Sequence, residues 1–361
     1  MKRENKNTAP LWSRISLITL LLSIIVYIAT VNSVAVADCI NGTLSAFVRK
    51  TLAIISAPLP FSFFEVLIIT LPIWLTLLIV WAIKRARNFH GALRVIFSLV
   101  GVISILLTSY IFTLGVGYRT TALSERIGIE ESSYISVEEL ARVTLIVRDE
   151  VNGYADRVGS ADSQSVMPYS IDELNERLMR AYDAMNDEYA IVKHFDSCVK
   201  PVYFSTVMSD LRITGIYSFF TGEANVNVEY PDYVLPFTAA HELAHQRGIS
   251  RENEANFVAF LVCVASDDDF IRYSGYLNLY EYLASALYRA DKEIYYEVAG
   301  GLSERAIDDI RASNAVYEEH KDSFLGELNE KLNDRYLQLN GTQGTVTYGY
   351  VVRLAVGYYN Q

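Results

Sequence analysis

The sequence predicts a membrane protein: three N-terminal transmembrane helices, then a mainly helical α+β domain with a small sheet. Three observations carry that prediction. The chain of 361 residues is 51% hydrophobic with a mean hydropathy of +0.19, and the apolar excess lies in the first third. Charge divides at the same place: residues 1–119 hold 11 Lys/Arg against 3 Asp/Glu, whereas residues 120–361 hold 20 against 39. Helix-start patterns then recur along the second part. The expected division is a membrane anchor over 1–118 and an extracytoplasmic domain over 119–361. An acidic domain lacks the basic surface that phosphate backbones require, so nucleic acid is excluded as a partner.

The first charge-free run extends from Ile15 to about Val36, the second over about 66–83 and the third over about 95–116. Each is long enough to cross a hydrocarbon core about 30 Å thick at about 1.5 Å per residue. Trp12, Trp74 and Trp81 lie in or beside these runs, and those near the ends suit interfacial anchoring. The first run ends in "SVAVADC", whose small residues resemble a signal-peptide cleavage site, but two further spans favour an uncleaved anchor. Basic residues sit in the N-terminal tail (Lys2, Arg3, Lys6, Arg14) and between the second and third runs (Lys84, Arg85, Arg87, Arg94). The intervening loop has only Arg49 and Lys50. The positive-inside rule therefore predicts a multi-pass protein of the cytoplasmic membrane with a cytoplasmic N-terminus. Residues after about Tyr118 lie outside, as does the loop 37–60, whose "APLPFSF" reads as re-entrant or interfacial.

In the second part, Ser136-Val-Glu-Glu139 and Ser170-Ile-Asp-Glu173 match the capping box and predict helices over 137–156 and 171–189. "GSADSQSVMPYS" between them reads as a loop. Further helices are predicted over 236–247, 251–265, 268–290 and 303–338, with a short amphipathic helix in "TYGYVVRLAVGYYNQ". In "EANVNVEY", Ala224, Val226 and Val228 alternate with polar residues, which predicts a strand with one wet face. Cys39, Cys198 and Cys263 form no CxxC pair, so neither a disulfide framework nor a thiolate metal site is expected.

The stretch that carries chemistry is "HELAHQRGISRENEAN", residues 241–256. On a helix, His241 and His245 project from one face, one turn apart, and both imidazoles can reach a single ion. Glu242 on the flank is placed to act as general base towards a metal-activated water. A catalytic metal needs a third protein ligand. Gly248 permits a turn, and Ser250 is positioned to cap a second helix from Arg251. On that helix Glu252, Ala255, Asn256, Ala259 and Cys263 share a face. Small residues there allow close approach, so Glu252 is the favoured third ligand. Glu254, about 200° round the helix, is the alternative. Asn256 is expected to hydrogen-bond a ligand from behind.

HExxH followed by E-x-x-A-N resembles the gluzincin-type zinc metallopeptidases. That resemblance implies a zincin-like domain, Zn2+ bound by His241, His245 and Glu252, and Glu242 as catalytic base. "ENEANFVAFL" is similar to the signature of ImmA/IrrE-like peptidases, and the membrane context to integral-membrane peptidases of the Ste24/HtpX and antibiotic-receptor types. Three spans together with "HELAHQRGISRENEANF" resemble an uncharacterised bacterial membrane family of unknown function. The pattern departs from metzincins, because Arg251 stands where their third histidine would be.

The expected function is thus a membrane-anchored hydrolase that cleaves a protein or peptide substrate outside the cytoplasm. The alternative is a zinc-containing extracytoplasmic sensor or binding domain without turnover. Peptidases of this kind take substrate as an added strand, and the strand over 223–230 is the expected template. Tyr273 and His320 are the candidates for stabilising an oxyanion.

Overall fold

A computed structural model describes residues 9–131, 134–161, 164–342 and 350–361. Lys2, Arg3 and Lys6, on which part of the orientation argument rests, lie outside the described residues, as do 347–349 of the C-terminal segment.

The first part is helical throughout: α1 (Leu11–Asn32), α2 (Val34–Ile40), α3 (Ala46–Ser56), α4 (Phe63–Arg85) and α5 (Phe89–Tyr110). Among the described residues, three helices are long and apolar enough to cross a membrane: Leu11–Asn32, Phe63–Arg85 and Phe89–Arg119, the last continuing α5 through a π turn at Ile111–Gly115. All three begin before the charge-free runs, and for α4 and α5 a capping side chain sets the start. Ser62 accepts from the Glu65 amide and Asn88 from the Gly91 amide. The segment 37–60 is largely helical: α2 and α3 are joined through a second π turn at Asn41–Ser45, and "APLPFSF" forms the turn between α3 and α4.

The second part contains α6 (Leu123–Ile127), α7 (Val137–Ala155), β1 (Ser160–Ala161), β2 (Gln164–Ser165), α8 (Ile171–Tyr189), β3 (Val199–Val202), α9 (Ser205–Asp210), β4 (Gly215–Tyr217) and β5 (Ala224–Asn227). There follow α10 (Val234–Gln246), α11 (Glu252–Ala265), α12 (Asp269–Ala290), α13 (Lys292–Ala299), α14 (Glu304–His320), α15 (Phe324–Leu339) and α16 (Val351–Tyr359). Both capping boxes form with the expected residues. The stretch read as a loop contains the short hairpin β1–β2. The helix expected over 303–338 is two, broken at 321–323. Helices α10, α11 and α12 form the core with α7 and α8 packed round them.

The sheet order is β3-β5-β4, with β5 parallel to β3 and antiparallel to β4. This corrects the expected wet face. Glu223, Asn225 and Asn227 are all buried. Their polar face meets protein, not water: a Cβ on Gly222 would lie 2.4 Å from Leu52 of α3. The Glu223 carboxylate accepts the amides of Phe63 and Phe64 at the start of α4 and pairs with Lys200 at 2.8 Å. Period two was read correctly, but it measures alternation and not what covers each face.

Other buried bonds join the two parts. The Arg49 guanidinium on α3 is entirely buried and donates to Asn41, to the Phe112 carbonyl freed by the π turn and to the Arg247 carbonyl after α10. Asn41 donates to the Gly248 carbonyl. Ser250 donates to the Leu114 carbonyl at 2.8 Å and does not cap α11, whose N-cap is Arg251.

Candidate metal centre

Helix α10 carries His241, Glu242 and His245 through the core. The chain leaves it at Gly248, whose φ of 98° only glycine adopts without strain. The turn closes through the Ile249 amide on the Ala244 carbonyl. Arg251 fastens its far side by donating to the carbonyls of Tyr118 and Thr120. Glu252 is consequently the first residue of α11, where the helix N-terminus favours a carboxylate.

The structure brings His241, His245 and Glu252 together. Glu252 Oε2 lies 3.3 Å from His241 Nε2 and 3.5 Å from His245 Nε2. The two imidazole rings stand edge to face with centroids 4.6 Å apart. Among the described residues, these three form the group whose ligand atoms fall within 4.8 Å of one another. Donors of a tetrahedral zinc at about 2.0–2.1 Å would stand about 3.3–3.4 Å apart, so the arrangement fits such an ion. His245 Nδ1 lies 2.7 Å from the Ile249 carbonyl, which accepts from Nδ1–H, so that in the neutral ring Nε2 carries the lone pair that can bind a metal. Glu254 points elsewhere: it accepts from the Leu123 amide and pairs with Arg251 at 2.8 Å.

Burial alone would push the His245 pKa down, but the adjacent Glu252 carboxylate outweighs it and raises the pKa to about 9. Burial would lift Glu252, yet the two imidazoles hold it well below the usual carboxylate range. Glu242 is raised by burial, against the pull of both histidines. Two buried polar atoms beside the cluster lack partners: His241 Nδ1 and Asn256 Nδ2. Such orphans are rare in folded proteins and mark places where a ligand or water belongs.

The cluster opens into a cavity of about 1420 Å3. Strand β4 runs over Glu242, where a Cβ on Gly215 would meet Glu242 Oε1 at 2.6 Å. The strand over 223–230, expected to template substrate, is the centre of the sheet and has no free edge. Instead β4 borders the cavity, paired on one side with β5. Neither oxyanion candidate lines the cavity. Tyr273 is buried in the core and donates to Asp309, and His320 lies 2.8 Å from Asp210. Sequence reading missed the cavity wall supplied by α12, including Asn278, Glu281 and Tyr282. Glu281 accepts from the Tyr233 hydroxyl, and burial raises its pKa to about 7. Burial also raises the Tyr282 phenol and keeps it protonated. Nothing in sequence spacing singled out Tyr282 among 25 tyrosines.

No curated protein and no solved structure matches the chain. Residues 42–356 match one family model, a span that runs from just before α3 into α16 and includes His241, His245 and Glu252. The chain belongs to the family described as protein of unknown function (DUF3810).

Proposed function

We propose that this protein is a membrane-anchored zinc metallopeptidase, with its N-terminus in the cytoplasm and its cluster outside. The carrying observation is the convergence of His241 Nε2, His245 Nε2 and Glu252 Oε2 at zinc-like separations, with Glu242 next to them on α10. A bound zinc supplies Lewis acidity, which lowers the pKa of water and polarises a peptide carbonyl. The chain's own groups do the rest. The raised pKa of Glu242 suits a base that takes a proton from water and returns it to a leaving amine. The free edge of β4 is the place for a peptide to add as a strand. Tyr282, a protonated phenol on the cavity wall, is placed to donate to a developing oxyanion. Asn256 Nδ2, buried and unpartnered, is available to a ligand from behind. The orientation rests on Lys84, Arg85, Arg87 and Arg94 between the second and third apolar helices.

The test is Glu242→Gln in the full chain in detergent, with metal content and hydrolysis of a peptide library measured together. The reading expects retained zinc and a loss of hydrolysis of about 10²–10⁴-fold. Equal cleavage by both proteins would contradict it. Retained zinc and peptide binding with no cleavage by wild type would favour the sensor reading, for which the large cavity is the supporting observation.

A further inference from the structure

Helix α15 divides the cavity from an apolar face that none of the described residues covers. Phe324, Leu325, Leu328, Leu332 and Leu339 are between 43% and 75% exposed. At about 100° per residue they fall within an arc of about 100°. Lys331 borders the arc on one side and Arg335 lies within it, and the stems of both can lie on lipid while their charges reach head groups. The opposite side of the same helix, with Asn329, Glu330, Asn333 and Tyr336, lines the cavity.

Both ends of α15 are tied to the ends of the apolar helices. Near its C-terminus, the Tyr336 ring packs on Tyr110 and Tyr118 at the end of the third apolar helix. Asn340 accepts from the Tyr110 hydroxyl at 2.6 Å. Near its N-terminus, Gly326 lies against Asp210, the last residue of α9, and Arg212 just after it. The loop before α9 is tied to α4, because Glu65 in the first turn of α4 accepts the Phe204 amide. Tyr203, Phe204 and Val207 there are exposed, as are Phe61 and Phe63 where α4 begins. The exposed apolar surface therefore continues from the second apolar helix through α9 to α15 and reaches the third.

We infer that α15 lies in the outer interface of the bilayer, leucine face in lipid and polar face in the cavity. The inference rests on the membrane reading above. Continuity with the apolar helices identifies the occupant as lipid, and the width of the arc, with two basic side chains able to snorkel from it, suits an interfacial helix.

The test uses the full chain in nanodiscs of phosphatidylcholine and phosphatidylglycerol, in a Cys39→Ser/Cys198→Ser background. Single cysteines replace Leu328, Leu332, Glu327 or Ile105 and carry a bimane dye. The readout is quenching by doxyl-labelled phosphatidylcholine. The inference expects quenching of about twofold or more at 328 and 332, as at 105, and little at 327. Quenching at 105 but not at 328 or 332 would overturn the inference and leave the membrane reading intact. Dye self-quenching at 332 that depends on two copies per disc, without lipid quenching, would assign the face to a second chain and also overturn it. Absence of quenching at 105 would instead overturn the membrane reading.

Discussion

Two buried charged clusters lie close to the same helix and are built differently. In the first, Lys200 spends its three N–H groups on the carbonyls of Ser56 and Phe61 and on Glu223, which also accepts two backbone amides. Each of these donors meets an acceptor within hydrogen-bonding distance. In the second, Glu252 Oε2 faces two imidazole nitrogens at 3.3 and 3.5 Å, longer than a good charge-assisted hydrogen bond, and two neighbouring donors are orphaned. Burial of polar groups is favourable only when they are partnered. The closed cluster therefore serves stability, joining α4 to the sheet, whereas the open one is arranged for something that completes it.

Breaking the closed cluster should have the largest effect on folding and little on metal. Lys200→Met leaves Glu223 buried and unpaired, at an expected cost of about 3–5 kcal/mol. Thermal unfolding of the full chain should show a midpoint lower by on the order of 10 °C, with zinc per chain unchanged. Zinc loss without destabilisation would erase the distinction.

Crowding the open cluster should do the reverse. Gly215→Ala pushes a methyl towards Glu242 Oε1 and Thr238. Hydrolysis should fall about tenfold to a hundredfold, on the order of 2 kcal/mol, with zinc nearly unchanged and an unfolding midpoint lowered less than by Lys200→Met, because overpacking costs about 1–3 kcal/mol. Unchanged turnover would mean that Glu242 is not held by β4.

A sharper probe is Arg49, which joins the N-terminal helices to the residues just after His245. Arg49→Lys keeps the charge but loses the fork that reaches the Asn41, Phe112 and Arg247 carbonyls. Zinc affinity, measured by competition with a chelator, should weaken by about tenfold, as when a support behind a metal ligand is lost. Unaltered affinity would make Arg49 a folding residue alone.

The smallest effect concerns Glu281. Its folded pKa is raised from 4.5 to about 7. The folded state therefore holds this proton more tightly than the unfolded chain, and stability falls as pH rises between those values. Glu281→Gln should remove that slope, on the order of 1 kcal/mol after allowance for partial exposure. Denaturant unfolding of both proteins at pH 5 and pH 8 measures it. An identical slope in the variant would place the pH dependence elsewhere.

Much of this was legible in the sequence. Charge-free length gave the apolar helices, Ser-x-x-Glu gave two helix starts, and helical register separated Glu252 from Glu254. Features set by distant contacts were not legible. The polar face of β5 is covered by α3 and the start of α4, more than 130 residues earlier. Ser250 is drawn from the capping role to a carbonyl that a π turn exposes at Leu114. Tyr282 faces the cavity because α12 folds back beside α11, and no local pattern records that.

The most direct test of the central claim is zinc per chain by elemental analysis of the full-length protein in detergent, in wild type, Glu252→Gln and Glu254→Gln. The account predicts near one zinc in wild type and Glu254→Gln and near none in Glu252→Gln. A folded wild-type chain without zinc, or loss with Glu254→Gln alone, would contradict it.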